Sequence, residues 1–154
     1  MLSILVDADA CPVKDEVYRV AKRHQWPVIL VANAPMRVPA EDGIRLQVVG
    51  DGFDAADDWI TDQADDGDIV VTADILLASR CLKKGAIVIG TTGRPFTEDN
   101  IGDAVAAREI SSELREMGLI RKGPPPFQAR DRSAFLQQLD AAIHLIQRRQ
   151  KRSG

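Results

Sequence analysis

Five short apolar runs punctuate the chain: LSILV at 2–6, VILVAN at 28–33, RLQVV at 45–49, DIVVTA at 68–73 and AIVIG at 86–90. Their Val and Ile content predicts strands buried on both faces, the habit of a parallel sheet covered by helices. Between the runs the apolar period lengthens to that of a helix. Pro12 suits a first helical turn, and Val13, Val17, Val20 and Ala21 make a stripe through residues 12–24. Asp54 precedes AADDWITDQA, and Asp74 precedes ILLASRCLKK, which stops at Gly85. TTGRPFTEDN at 91–100 reads as a loop, and residues 101–118 as a long helix closed by Gly118. Pro124, Pro125 and Pro126 lack amide donors and favour an extended path. A last helix at 133–149 repeats Phe135, Leu136, Leu139, Ala142, Ile143 and Ile146 at helical spacing, before a basic tail, 151–154, expected to fray. The alternation predicts one α/β domain over residues 1–150. Its layers are α/β/α, with about five mostly parallel strands and a C-terminal helical segment packed against them.

Charge divides this plan unevenly. Residues 1–118 carry 12 Lys or Arg against 21 Asp or Glu, and residues 119–154 carry 8 against 2, within a net charge of −3. An acidic body beside a basic end suits a cation-binding centre next to a patch that attracts phosphate, although a solvated terminal helix gives the same count. Cys11 and Cys81 form no C-x-x-C pair, so both are expected to be free thiols in a reduced, cytoplasmic setting. No apolar run approaches the ~20 residues of a membrane span, and a soluble protein is expected.

The carboxylates carry the candidate chemistry. Ligands of open parallel sheets bind beyond the carboxyl ends of the strands. Asp7 and Asp9 follow the first predicted strand, Asp51 and Asp54 the third, and Asp74 the fourth. Acidic groups from three strand ends repel one another unless a divalent cation offsets the charge, and carboxylate oxygens suit Mg²⁺ or Mn²⁺. On the helix after Asp54, Ala55, Ala56, Trp59, Ile60 and Ala64 form the buried side, and Asp57 sits at its boundary where Asp58 faces away. Each acid has a plainer reading: Asp9, Asp54 and Asp74 are placed to cap helices, and Asp57 and Asp58 to complement a helix dipole. Asp7 lies too early for an N-cap. His24 and His144 sit on separate helices with no ligand spacing and are expected to be surface residues. Cys11, weighed as a nucleophile, has no partner base, and a packing role is the default.

DADACPVK, GDGFDAADDWI, DIVVTADILLASRCLKKGA and GPPPFQARDRSAF together resemble the bacterial YaiI/YqxD family, from Leu2 to about Arg149. That family is placed in the PIN-like superfamily, whose nuclease members bind Mg²⁺ or Mn²⁺ on an acidic cluster and cut RNA or DNA. The resemblance implies a PIN-like domain in which Asp7, Asp57 and Asp74 correspond to the metal-binding acids. A fourth acid usual in PIN nucleases has no counterpart directly after the fifth strand, where Glu98 and Asp99 come too late.

Three functions are thereby in view. The first is a Mg²⁺- or Mn²⁺-dependent phosphodiesterase acting on nucleic acid, RNA in the first instance. In it Asp7, Asp57 and Asp74 are the metal ligands, Asp9 orients water, and Lys14, Arg80, Arg94 and Arg130 contact phosphate. The basic stretch from Arg121 to Arg132 would follow the backbone, with Phe96 or Phe127 as stacking candidates. The second takes DADAC as the D-x-D motif of haloacid-dehalogenase-like phosphatases, with Asp7 as nucleophile, Asp9 as acid/base and Lys83 or Lys84 as the later lysine. The third is a PIN-like module that binds nucleic acid or a protein without catalysis.

Overall fold

The structure is a computed structural model that describes residues 2–9, 11–50, 52, 54–120 and 126–153. Asp51, Arg121, Pro124 and Pro125, singled out above, lie outside the described residues. Six strands form one sheet: β1 (Ile4–Asp7), β2 (Val28–Ala32), β3 (Ile44–Val48), β4 (Ile69–Val71), β5 (Ile87–Ile89) and β6 (Pro95–Phe96). Their order is β3-β2-β1-β4-β5-β6, parallel except for β6. The helices are α1 (Lys14–His24), α2 (Ala55–Gln63), α3 (Ile75–Lys83), α4 (Glu98–Glu116) and α5 (Ala129–Ser153).

Alternating side chains of the central strands feed two cores. Ile4, Val6, Leu30, Ile69, Val71 and Ile89 pack under α1 and α5, whereas Leu5, Val31, Val70 and Val88 pack under α2 and α3. The expected three layers are therefore present. Phe135, Leu139, Ala142, Ile143 and Ile146 of α5 are all buried, so the spacing read as a helical stripe is the face that closes the first core.

Several boundaries differ from expectation for local reasons. Pro12 lies in a turn and α1 starts at Lys14, with Val13 in the N-cap position and no side-chain cap. β6 arises inside the stretch read as a loop, because a tight turn lets Gly90 N–H reach Arg94 O at 2.7 Å and folds Phe96 against the second core. Gly93 in that turn has φ +87°, and a Cβ there would lie 2.6 Å from Ala134 carbonyl carbon, so only glycine permits the turn to touch α5. Helix α4 begins at Glu98, three residues early, because Thr97 and Asn100 form a reciprocal capping box. Helix α5 starts at Ala129 and continues to Ser153, through the stretch expected to fray.

Phe135, fully buried, is the largest anchor of α5. Phe135→Ala is expected to lower the unfolding free energy in urea by about 3–5 kcal/mol, and a loss under about 1 kcal/mol would mean that α5 does not close the core.

Candidate functional site

The strand order reverses between β1 and β4, and there a doubly wound sheet opens a crevice beyond its carboxyl ends. Asp7 is the last residue of β1, and Asp74 precedes α3 at the end of β4. Asp57 lies in the first turn of α2, the helix joining β3 to β4. The turn after β1 contains no glycine, and its acids Asp7 and Asp9 oppose the pyrophosphate that a glycine-rich turn would accept.

Thr72 joins the two strand-end acids. Its buried Oγ1 donates to Asp7 Oδ2 at 2.9 Å and accepts the backbone N–H of Asp74 at 3.0 Å. This residue was missed in the sequence, where the only signal was a Thr two positions before an Asp at a strand end. Asp74 Oδ1 accepts the N–H groups of Leu76 and Leu77 at 2.9 and 3.2 Å, so the capping reading holds for this acid. It does not hold for the others. Asp54 occupies the N-cap of α2 without a side-chain bond. Asp9 Oδ2 instead accepts Asn33 N–H at 3.1 Å, tying the β1–α1 turn to the chain leaving β2.

Asp7, Asp57 and Asp74 are close enough to perturb one another. Burial raises the Asp7 carboxyl above its ordinary value against the Thr72 hydrogen bond, and the charges of Asp74 and Asp9 add to the rise. Asp57 is pushed up to about 6, by burial first and then by the charges of Asp74, Asp7 and Asp54. Asp58 faces outward and pairs with Arg80 at 3.0 Å. The three acids do not form a closed cage. Among the described residues, the only group of three potential ligands with all atoms within 4.8 Å of one another is His24, Asp140 and His144.

The basic residues are distributed around this edge. Lys14 opens α1 there, and Arg80 tempers the charge of Asp57 while paired with Asp58. Arg130 is exposed in the first turn of α5, held at the same edge because Arg132 Nη1 donates to Pro12 O at 3.2 Å. Arg94 lies in the β5–β6 turn with its guanidinium 5.8 Å from the Phe96 ring centre. Phe96 is buried, and one face of the partly buried Phe127 ring is covered by the Arg132 guanidinium at 5.1 Å. Arg132 itself is committed to Glu16 Oε1 at 2.6 Å.

Two weighed roles fail on topology and burial. Lys83 and Lys84 close α3 just before β5, at the sheet edge opposite Asp7, which removes the lysine required by the phosphatase reading. The thiol of Cys11 is pushed up by its burial, which suits packing and not nucleophilic attack. Glu98 and Asp99 begin α4 after the antiparallel β6, which turns the chain away from the crevice, so they supply no fourth acid there. A cavity of about 780 Å³ lies elsewhere, between α1 and the starts of β2 and β3 beside Tyr18 and Trp26. Of the two histidines, His144 is exposed as expected, whereas the His24 side chain is only 12 % exposed, and its ring meets that of His144 edge to face at 5.0 Å.

The fold and this crevice define a doubly wound α/β protein with an acidic group at its topological switch point. The chain belongs to the YaiI/YqxD family: a family profile described as "Uncharacterized BCR, YaiI/YqxD family" matches residues 5–145. It is 54% identical over 152 residues to a UPF0178 protein of Rhodospirillum centenum, covering 96% of this chain and 99% of that one. It is 57% identical over 146 residues to one of Rhodopseudomonas palustris, covering 95% and 92%. A UPF0178 protein of Bradyrhizobium diazoefficiens is 55% identical over 146 residues, with 95% and 87% covered. No solved structure gives a significant match. Among the described residues no helix is long and apolar enough to cross a membrane.

The raised Asp57 carboxyl makes stability depend on pH. Between the ordinary value of 3.8 and about 6, the folded chain keeps a proton that the unfolded chain has released, so this group's contribution falls as pH rises through that window. In metal-free buffer, Asp57→Asn is therefore expected to raise the melting temperature above pH 6 and to change it little near pH 4. An equal effect at both pH values would show that Asp57 is not electrostatically strained.

Proposed function

We propose that this chain is a Mg²⁺- or Mn²⁺-dependent phosphodiesterase acting on nucleic acid, with RNA as its substrate class. The observation that carries the reading is the convergence of Asp7, Asp57 and Asp74, from three separate elements, at the switch point of the sheet. Burial first, and then the charges of Asp74, Asp7 and Asp54, raise Asp57 to about 6, and a bound cation relieves the part due to those charges. The resemblance to PIN-like nucleases supports the same three residues.

Hard divalent cations commonly bind through one or two carboxylates, several waters and substrate phosphates, so a looser arrangement than a closed three-acid cage suits them. When bound, such an ion lowers the pKa of a coordinated water and neutralises charge on the scissile phosphate. Asp7 and Asp74 are the fixed members of the set. Thr72 holds Asp7 by one oxygen, and the α3 cap engages only Oδ1 of Asp74. Asp57 completes the set from the first turn of α2. Asp9 is exposed at the rim and, fixed by Asn33, orients a water in this reading. Lys14, Arg80 and Arg130 face the phosphate backbone at the same edge, and Arg94 contributes from the β5–β6 turn. No acid directly follows β5 in the sequence, which favours one alternative, a nucleic-acid-binding module of the same fold without catalysis.

Calorimetric titration of Mn²⁺ distinguishes the two, with Asp7→Asn and Asp74→Asn alongside. Asparagine is as good an N-cap as aspartate, so the second variant removes charge without removing the cap. The enzyme reading expects Mn²⁺ binding that is lost in both variants, and cleavage of labelled single-stranded RNA that stops in EDTA and in either variant. Mn²⁺ binding absent from the unaltered chain, with RNA retained uncleaved, would overturn it in favour of the binding module.

A further inference from the structure

We propose that His24, Asp140 and His144 form a second metal site, for one divalent transition-metal ion of the zinc class, at the sheet edge opposite the carboxylate crevice. The site follows from the packing of α5 along α1. Arg132 meets Glu16 near the start of both helices, and Asp140 meets His24 eight residues further along each. Equal steps of about 12 Å on both helices show that they run side by side in the same direction. His24 is the last residue of α1, which returns the chain to the start of β2. Asp140 and His144 stand one turn apart on α5 and share a face, the spacing by which a helix offers two ligands to one ion.

One ligand atom from each of the three residues lies within 4.8 Å of the other two. His24 Nε2 lies 2.7 Å from Asp140 Oδ1, and His144 Nδ1 lies 3.4 Å from Asp140 Oδ2. Zinc–nitrogen and zinc–oxygen bonds of about 2.0–2.2 Å in a tetrahedron place neighbouring donors about 3.4 Å apart. The two contacts use different oxygens of Asp140, so an Asp140 that offers one oxygen has to turn about its Cβ–Cγ bond to serve both imidazoles. The two rings meet edge to face at 87°, so neither is stacked on the other. Two imidazoles and one carboxylate form a borderline donor set that suits Zn²⁺, Co²⁺ or Ni²⁺ and not Mg²⁺.

The surroundings also fit. The His24 side chain is nearly enclosed and is held against Asp140 Oδ1 at 2.7 Å. His144 is 53 % exposed beside a cavity of about 410 Å³ lined also by Gln147, Arg148 and Lys151, which leaves room for water to complete the sphere. Arg23 Nη1, 3.5 Å from Asp140 Oδ1, is the competing cation, and at 59 % side-chain exposure it is free to swing away. An ion held here clips the end of α1 to the middle of α5, the two helices that cover one face of the sheet.

The test uses the full chain after EDTA treatment and dialysis. Zn²⁺ is titrated by calorimetry, Co²⁺ is followed by its visible absorption, and melting is recorded with and without Zn²⁺. The expected result is one ion per chain, a tetrahedral Co²⁺ spectrum and a higher melting temperature with Zn²⁺. Affinity should fall at least about tenfold in both His144→Ala and Asp140→Asn, because loss of a ligand costs no less than loss of a residue that orients one. The exposed His144 is expected to tolerate alanine without unfolding, and His144→Gln gives a second variant. Binding should persist in Asp7→Asn, which separates this site from the crevice. No Zn²⁺ binding to the unaltered chain, or binding that survives His144→Ala and His144→Gln but is lost in Asp7→Asn, would overturn the proposal.

Discussion

The complete burial of the two central strands governs the rest of the molecule. Every residue from Ile4 to Val6 in β1 and from Ile69 to Val71 in β4 is at most 1 % exposed, so neither sheet face tolerates water above them. Helices α2 and α3 cover one face. On the other, α5 joins α1 and supplies Phe135, Leu139 and Ile143 to the same core. The hydrophobic effect that draws α5 onto the sheet therefore also sets which polar side chains of α5 meet α1.

Two polar clasps follow from that docking, and they are unequal. Glu16 is buried, with Oε1 paired to Arg132 and Oε2 without a hydrogen-bond partner among the described residues. Desolvation of this carboxylate makes the clasp specific about where α5 sits and less valuable for net stability. The His24–Asp140–His144 clasp is partly open to solvent and has donors that a soft or borderline cation prefers. Helical packing thus places a nitrogen-rich group at one sheet edge and a set of acids at the other.

At the crevice, the local and functional demands on an acid overlap. Asp74 caps α3 through Oδ1, and this cap is also what fixes the carboxylate at the end of β4. Thr72 adds a second restraint by bonding both Asp7 and the backbone of Asp74. Asp57 takes part in neither restraint, and its carboxyl is pushed up to about 6 by burial first and then by the neighbouring acids. Capping and cation binding are therefore compatible uses of the same side chains.

Much of the fold was legible because strand and helix periods are local. The apolar runs marked five of the six strands, and the stripe from Phe135 to Ile146 marked the face of α5 that is buried. Positions of Asp7 and Asp74 at strand ends were likewise readable, as was Asp57 at the edge of a buried helical face. The two-residue β6 was not, since so short a strand has no period and exists through pairing with β5. Tertiary structure alone decided the strand order, the hydroxyl of Thr72 between two acids 67 positions apart, and the meeting of His24 with Asp140 across 116 positions. Such pairings depend on how separate elements dock over a shared core, and no repeat along the chain records that distance.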